Sequence, residues 1–138
     1  MTPQEIFDTV ARHLFTQGER AGTVSRDDNE DSEPDFFCKY RAPGGRSCAV
    51  GVLIPDKAYR EDMEGTGIMG VYTAFSGVLP GWMADNLKLL TSLQSVHDDY
   101  HSWKSTATLR EALFIAADFH GLDVSVLEGL ALIKSNVD

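Results

Sequence analysis

The side chains with most chemistry to offer are Cys38, Cys48, His97 and His101, which are both cysteines and two of the four histidines of the chain. A cysteine at the start of a helix with a histidine in reach is what an activated thiolate needs, so Cys48 and His97 are the candidate catalytic pair. Two thiolates and two imidazoles also suit tetrahedral zinc, and His97 and His101 have the right His-x-x-x-His spacing. The nine residues between Cys38 and Cys48 are an unusual gap for such a site, because zinc knuckles hold about two to four. Asp98 follows His97 directly. Neighbours on a helix point about 100° apart, so Asp98 is not expected to orient that imidazole as a triad acid would. No oxyanion donor is visible beyond backbone amides. The same residues also make sense without chemistry: free cysteines are among the most buried residue types, and His97 fits a hydrogen-bonded position at a core edge, with His101 on the surface. The sequence therefore favours no catalysis and no cofactor, with zinc or a cysteine mechanism as the alternative.

A chain reversal has to deliver these groups. Phe36 to Arg41 is aromatic and bounded by prolines, which reads as a strand. Ala42-Pro43-Gly44-Gly45 is a turn signal. A hairpin pivoting about Pro43 and returning through Arg46 and Ser47 sets Tyr40 opposite Arg46 and Cys38 opposite Cys48. A disulfide is then geometrically possible but disfavoured in a reducing compartment. The apolar run Ala49 to Ile54 reads as a short helix capped by Ser47 and stopped by Pro55, with Cys48 at its N-terminus. Arg41 and Arg46 are candidates for an anion site, although pairing with acids suits so acidic a chain better. Tyr40, Arg41, Arg46 and Asp98 are the candidate binding residues.

Several of these residues form a signature. Cys38-x-Tyr40-Arg41, Gly44, Cys48-Ala49-Val50-Gly51, Leu53-Ile54-Pro55-Asp56, Tyr59 and Met63-Glu64-Gly65 are followed by Leu93-Gln94-x-x-His97-Asp98. Over roughly residues 36–100 the chain resembles a family of small, functionally uncharacterised proteins of tailed phages and some bacteria. The resemblance implies a phage or prophage source and carries no activity with it. The acidic stretch at 27–35 and the glycine-spaced segment ending at Gly70 lie outside the pattern.

The remaining elements follow from periodicity and caps. Thr2-Pro3-Gln4-Glu5 is a capping box that opens a helix with Ile6, Phe7, Val10, Leu14 and Phe15 on one face, ended by Gly18. Residues 19–35 read as an acidic mobile loop. Asp27-x-Asn29-x-Asp31 begins like a calcium loop, but Ser32 stands where the turn glycine belongs and Cys38 where the closing glutamate belongs. Gly65-x-Gly67-x-x-Gly70 spells a dinucleotide fingerprint without the buried strand it needs, so it reads as a glycine loop. Val71 to Phe75 is ambiguous between strand and short helix. The longest helix is expected from about Trp82 to Tyr100, with Met83, Leu87, Leu89, Leu90, Leu93, Val96 and Tyr100 facing the core. Thr108 to Glu111 reads as a second capping box, opening a helix to His120 that is apolar on more than one side and so expected to be well buried. Asp123 is placed to cap a last helix carrying Val126, Leu127, Leu130, Ala131 and Ile133.

The fold expected is α+β and mostly helical, with four to five helices around one short hairpin in a single globular domain spanning 1–138. A length of 138 residues and 43% apolar content are enough for a real core. No apolar run approaches membrane-spanning length, and the N-terminus has neither basic region nor apolar stretch, which predicts no signal peptide and a cytoplasmic protein. The net charge of −9, with 12 scattered basic residues, argues against direct nucleic-acid binding. It suits a protein partner carrying basic charge. The expected function is thus a phage accessory protein that binds a host, defence or phage protein without catalysis of its own.

Overall fold

The computed structural model describes residues 1–25 and 35–132, so the calcium-loop pattern and most of the acidic stretch lie outside the described residues. The architecture is α+β and mostly helical: among the described residues there are four α-helices, several short 3-10 turns and one two-stranded antiparallel hairpin. No helix among the described residues is long and apolar enough to cross a membrane.

Helix α1, Pro3–Gln17, starts as its sequence dictates. Thr2 Oγ1 accepts from the Glu5 N–H at 3.1 Å, and Glu5 Oε1 accepts from the Thr2 N–H at 2.8 Å. Gly18, at φ 79°, closes it. Its face of Ile6, Phe7, Val10, Leu14 and Phe15 is buried against α3 (Leu87–Asp98) and α4 (Thr106–Phe119). Leu89, Leu90, Leu93 and Val96 of α3 meet Leu109, Leu113 and Ala117 of α4 in the same core.

The hairpin is not the one the turn signal predicts. β2, Asp35–Cys38, pairs with β1, Gly22–Ser25, in the register Gly22↔Cys38 and Thr23↔Phe37. The segment read as loop thus contributes a strand too short and too mixed to stand out. Gly22 permits the pairing, since a Cβ there would fall 2.3 Å from the Phe37 carbonyl oxygen. Beyond β2 the chain does reverse, but about Gly44 rather than Pro43. Pro43–Gly45 is a 3-10 turn with Gly44 and Gly45 at φ 81° and 77°, closed by the isolated bridge Ala42↔Arg46. Tyr40 does not oppose Arg46 across a strand pair.

Other expectations shift with local causes. The run after Cys48 forms one 3-10 turn, Gly51–Leu53, not a helix capped by Ser47. The ambiguous segment after the glycine loop is helical: α2, Ile68–Phe75. The long helix is split. Gly81–Asn86 is a 3-10 segment, and Asn86 leaves helical geometry with its side-chain amide donating to the Trp82 carbonyl at 2.8 Å. α3 stops at Asp98 because Asp99 is extended, which leaves Tyr100 exposed instead of core-facing. Helix α4 starts three residues before the expected box: Ser105 is the cap, and Thr108, not Glu111, completes the reciprocal pair. The last helix shrinks to the 3-10 turn Ser125–Leu127, since Gly129 at φ 81° ends it; Ile133 lies outside the described residues.

Candidate functional site

The end of α3 and the start of the post-hairpin segment meet over β2. Gln94 and Asp98 are one helical turn apart on α3, the spacing at which amide and carboxylate side chains touch. Gln94 Oε1 accepts from the Val50 N–H at 3.1 Å, which fixes the amide so that its nitrogen donates. That nitrogen gives one hydrogen to Cys38 Sγ at 2.8 Å and one to Asp98 Oδ1 at 2.9 Å. Asp98 Oδ1 also lies 2.7 Å from His97 Nδ1. His97 is fully buried, and its Nε2 accepts from the Ala21 N–H at 2.9 Å. A ring nitrogen that accepts carries no proton, so the neutral imidazole is protonated at Nδ1 and donates to Asp98.

Asp98 therefore does orient His97, contrary to the expectation from helical spacing. The 100° step between neighbours assumes both side chains radiate from a continuing helix. Asp98 is the last helical residue, and its short side chain reaches Nδ1, the ring nitrogen nearer the main chain. The early end of α3 also separates the two histidines. His101 sits exposed in the 3-10 turn Tyr100–Trp103 and is not part of the cluster.

Cys38 and Cys48 come together even though the predicted strand pairing is absent. The Cys38 thiol is pushed well above the usual range, first by its hydrogen bond to Cys48, then by burial and by the charges nearby, Asp98 among them. Cys48 is fully buried, and its sulfur accepts from the Gly51 N–H at 3.3 Å, so it caps the Gly51–Leu53 turn itself. A single 3-10 turn has no helix macrodipole to speak of. Ser47, expected to cap, is instead held through its backbone: its N–H donates to Gln17 Oε1 at 2.9 Å, and its carbonyl lies 2.7 Å from His13 Nε2. Both cysteines are free thiols.

Cys38, His97 and Asp98 offer ligand atoms that all lie within 4.8 Å of one another; Cys48 and His101 are not in that group. The expected zinc set is thus regrouped, with Asp98 replacing two members. A metal on Nδ1 would need the proton now shared with Asp98, and metal-bound imidazoles usually donate from the other nitrogen. Here the other nitrogen accepts from Ala21, so zinc binding would require that bond to give way.

The rest of the signature interlocks around this cluster. Glu64 accepts from the Tyr40 N–H at 2.9 Å, the Arg41 N–H at 3.0 Å and the Tyr59 hydroxyl at 2.6 Å. Tyr40 Oη donates to the Thr66 carbonyl at 2.5 Å. Both candidate arginines are engaged within the chain. Arg41 reaches Asp56 at 2.6 Å and the Ile54 carbonyl at 2.8 Å. Arg46 reaches Glu19 at 3.0 Å and the Arg20 carbonyl at 2.8 Å. Gln94 and Glu64 organise the site, yet reading the sequence gives them no role. The Gln94–Asp98 spacing is the signal that points to one of them; two of the three bonds to Glu64 come from the backbone of Tyr40 and Arg41, which leaves no trace in side-chain pattern.

Beside Cys38 a cleft of about 290 Å³ opens between β2, the Gly65–Gly67 loop and α3. Tyr40 and Asp98 of the candidate binding residues line it; Arg41 and Arg46 do not. Comparisons with protein-family models, curated proteins and solved structures found no match for this chain.

Proposed function

We propose that the chain is a non-enzymatic accessory protein, of phage origin, that binds a basic host or phage protein in the cytoplasm. One observation carries this reading. α4 was expected to bury its apolar sides, yet Phe114, Ile115 and Phe119 are 49%, 60% and 82% exposed. Glu111 and Asp118 are exposed on the same helix. An exposed apolar face with carboxylates set among its side chains suits an amphipathic segment that carries lysine or arginine among its own apolar residues. A net charge of −9 would steer such a partner in and keep nucleic acid away. The thiols support a binding role: Cys48 is buried behind its turn and Cys38 is held protonated, neither of them poised as a nucleophile.

The test is affinity capture from host and phage-infected cells with wild-type bait and an Ile115→Ser/Phe119→Ser variant. A partner retained by the wild type, weakened by salt and lost with the variant supports the reading. A turnover activity abolished by Cys48→Ala overturns it. The grouping of Cys38, His97 and Asp98 favours a second reading, a small zinc-bearing enzyme. Stoichiometric zinc in purified protein, lost on Cys38→Ser, would establish that reading instead.

A further inference from the structure

We propose that the cleft beside Cys38 binds the cationic end of an alkyl ammonium or guanidinium, the group carried by lysine and arginine side chains and by free alkylamines. Asp98 is the only residue lining the cleft whose side chain bears a formal charge; Cys38 and Tyr40 line it as neutral groups. Its two oxygens are used differently. Oδ1 takes the hydrogens of Gln94 and His97 and so belongs to the fold. Oδ2 takes no hydrogen from Gln94, His97 or any cation among the described residues, the Cys38 thiol is the neutral group beside the carboxylate, and the Asp98 side chain is 41% exposed. No arginine or lysine among the described residues forms an ion pair with Asp98: Arg20 donates to its backbone carbonyl, and His97 is neutral in its present bonding. A carboxylate held in place by one oxygen, with the other open, is a preorganised acceptor for a charge-assisted hydrogen bond.

The walls suit the rest of such a ligand. Phe37 is 54% exposed at the cleft, and an aromatic face attracts a cation within about 6 Å. The neighbouring Phe36 already holds a guanidinium this way, with the Arg20 group 3.9 Å from its ring centroid. Ile68 and the side-chain-free Gly65 and Gly67 leave an apolar channel for an alkyl stem. At about 290 Å³ the cleft is at the lower limit of small-ligand pockets, room for one side chain and not for a dinucleotide. The carboxylate also repels phosphate, so the G-x-G-x-x-G spacing serves an open wall here and not a phosphate cradle. This site does not depend on the α4 face.

The probes are butylguanidinium, neutral butanol of the same length, and a short acetylated glycine peptide with one central lysine or arginine. Binding is read by amide shifts in isotope-labelled protein. Butylguanidinium should shift Thr66, Gly67 and the Gln94 side-chain amide saturably, and butanol should not displace it. Asp98→Asn keeps the Oδ1 acceptor and removes the charge, and should weaken binding at least about tenfold. Phe37→Ala, outside the core, should weaken it by a few fold. A peptide that binds more tightly than the free cation assigns the site to a protein side chain; the reverse order assigns it to a small amine. The proposal fails if the cation gives no saturable shift, if butanol competes equally, or if a folded Asp98→Asn binds as well as the wild type. Should Asp98→Asn not fold, equal binding to Phe37→Ala and wild type overturns it.

Discussion

Gly51 has no room for a side chain. A Cβ there would lie 2.2 Å from the Tyr40 carbonyl oxygen, which is backbone and has nowhere to go. Gly51→Ala should therefore destabilise the protein at or beyond the upper end of the roughly 1–3 kcal/mol typical of overpacking. Gly67→Ala, where nothing lies within 4 Å of an added Cβ, should cost far less; urea unfolding of the two variants checks the contrast. Cys38 makes a prediction about pH. The folded chain holds it as the thiol, while the unfolded chain frees a group that ionises at about 8.5. Its folded pKa is raised, so its contribution is intact below that pH and is lost as pH climbs above it. Tyr59 acts with the same sign higher up, pushed to about 12 by burial and by its hydrogen bond to Glu64. The urea midpoint should hold steady near neutrality and fall progressively above pH 8.5, with Cys38→Ser flattening the first part of that fall. Iodoacetamide at neutral pH should modify Cys38 slowly and Cys48 only after unfolding.

At the scale of elements, the caps decide where α4 begins. Ser105→Ala removes the hydroxyl that accepts from the Thr108 N–H and should cost about 1 kcal/mol. Glu111→Ala, in an exposed position, should change stability by no more than about 0.5 kcal/mol. Thermal melts that rank the two the other way would restore the box at Thr108–Glu111. That pair shows what was legible in the chain. Local, reciprocal signals such as Thr2 with Glu5 identified α1 correctly, and the apolar stripe of α3 identified its core face. The turn at Pro43-Gly44-Gly45 was also visible, but strand pairing was not, because β1 wins Cys38 through the absence of a Cβ at Gly22. The candidate site was half legible. Cys38 and His97 lie together beside Gln94, whereas Cys48 reaches only Cys38 of these and stays outside the Cys38–His97–Asp98 group. Asp98 reaches His97 because it ends its helix, where the angle between neighbours inside a helix does not hold. The accepting Nε2 of His97 depends on the Ala21 backbone, a contact between distant segments that no side-chain pattern encodes.

For the whole molecule, charge acts in two opposite directions. The chain has 21 acidic and 12 basic residues, and among the described residues only two ion pairs involve a permanent cation. Both pairs are solvent-exposed on at least one side, where such contacts add at most about 1 kcal/mol. Most acids therefore repel one another without local compensation. Salt shortens the screening length from about 30 Å at 0.01 M to about 10 Å at 0.1 M, which relieves that repulsion inside the fold. Raising sodium chloride over this range should stabilise the isolated protein; a gain of about 1 kcal/mol would lift its Tm by about 4 °C. The same screening should weaken capture of a basic partner, mainly by slowing association. Melting temperature and partner affinity should thus move in opposite senses along one salt series. A partner whose affinity rises with salt would mean that the apolar stripe of α4 dominates and that the acidic exterior contributes little to recognition.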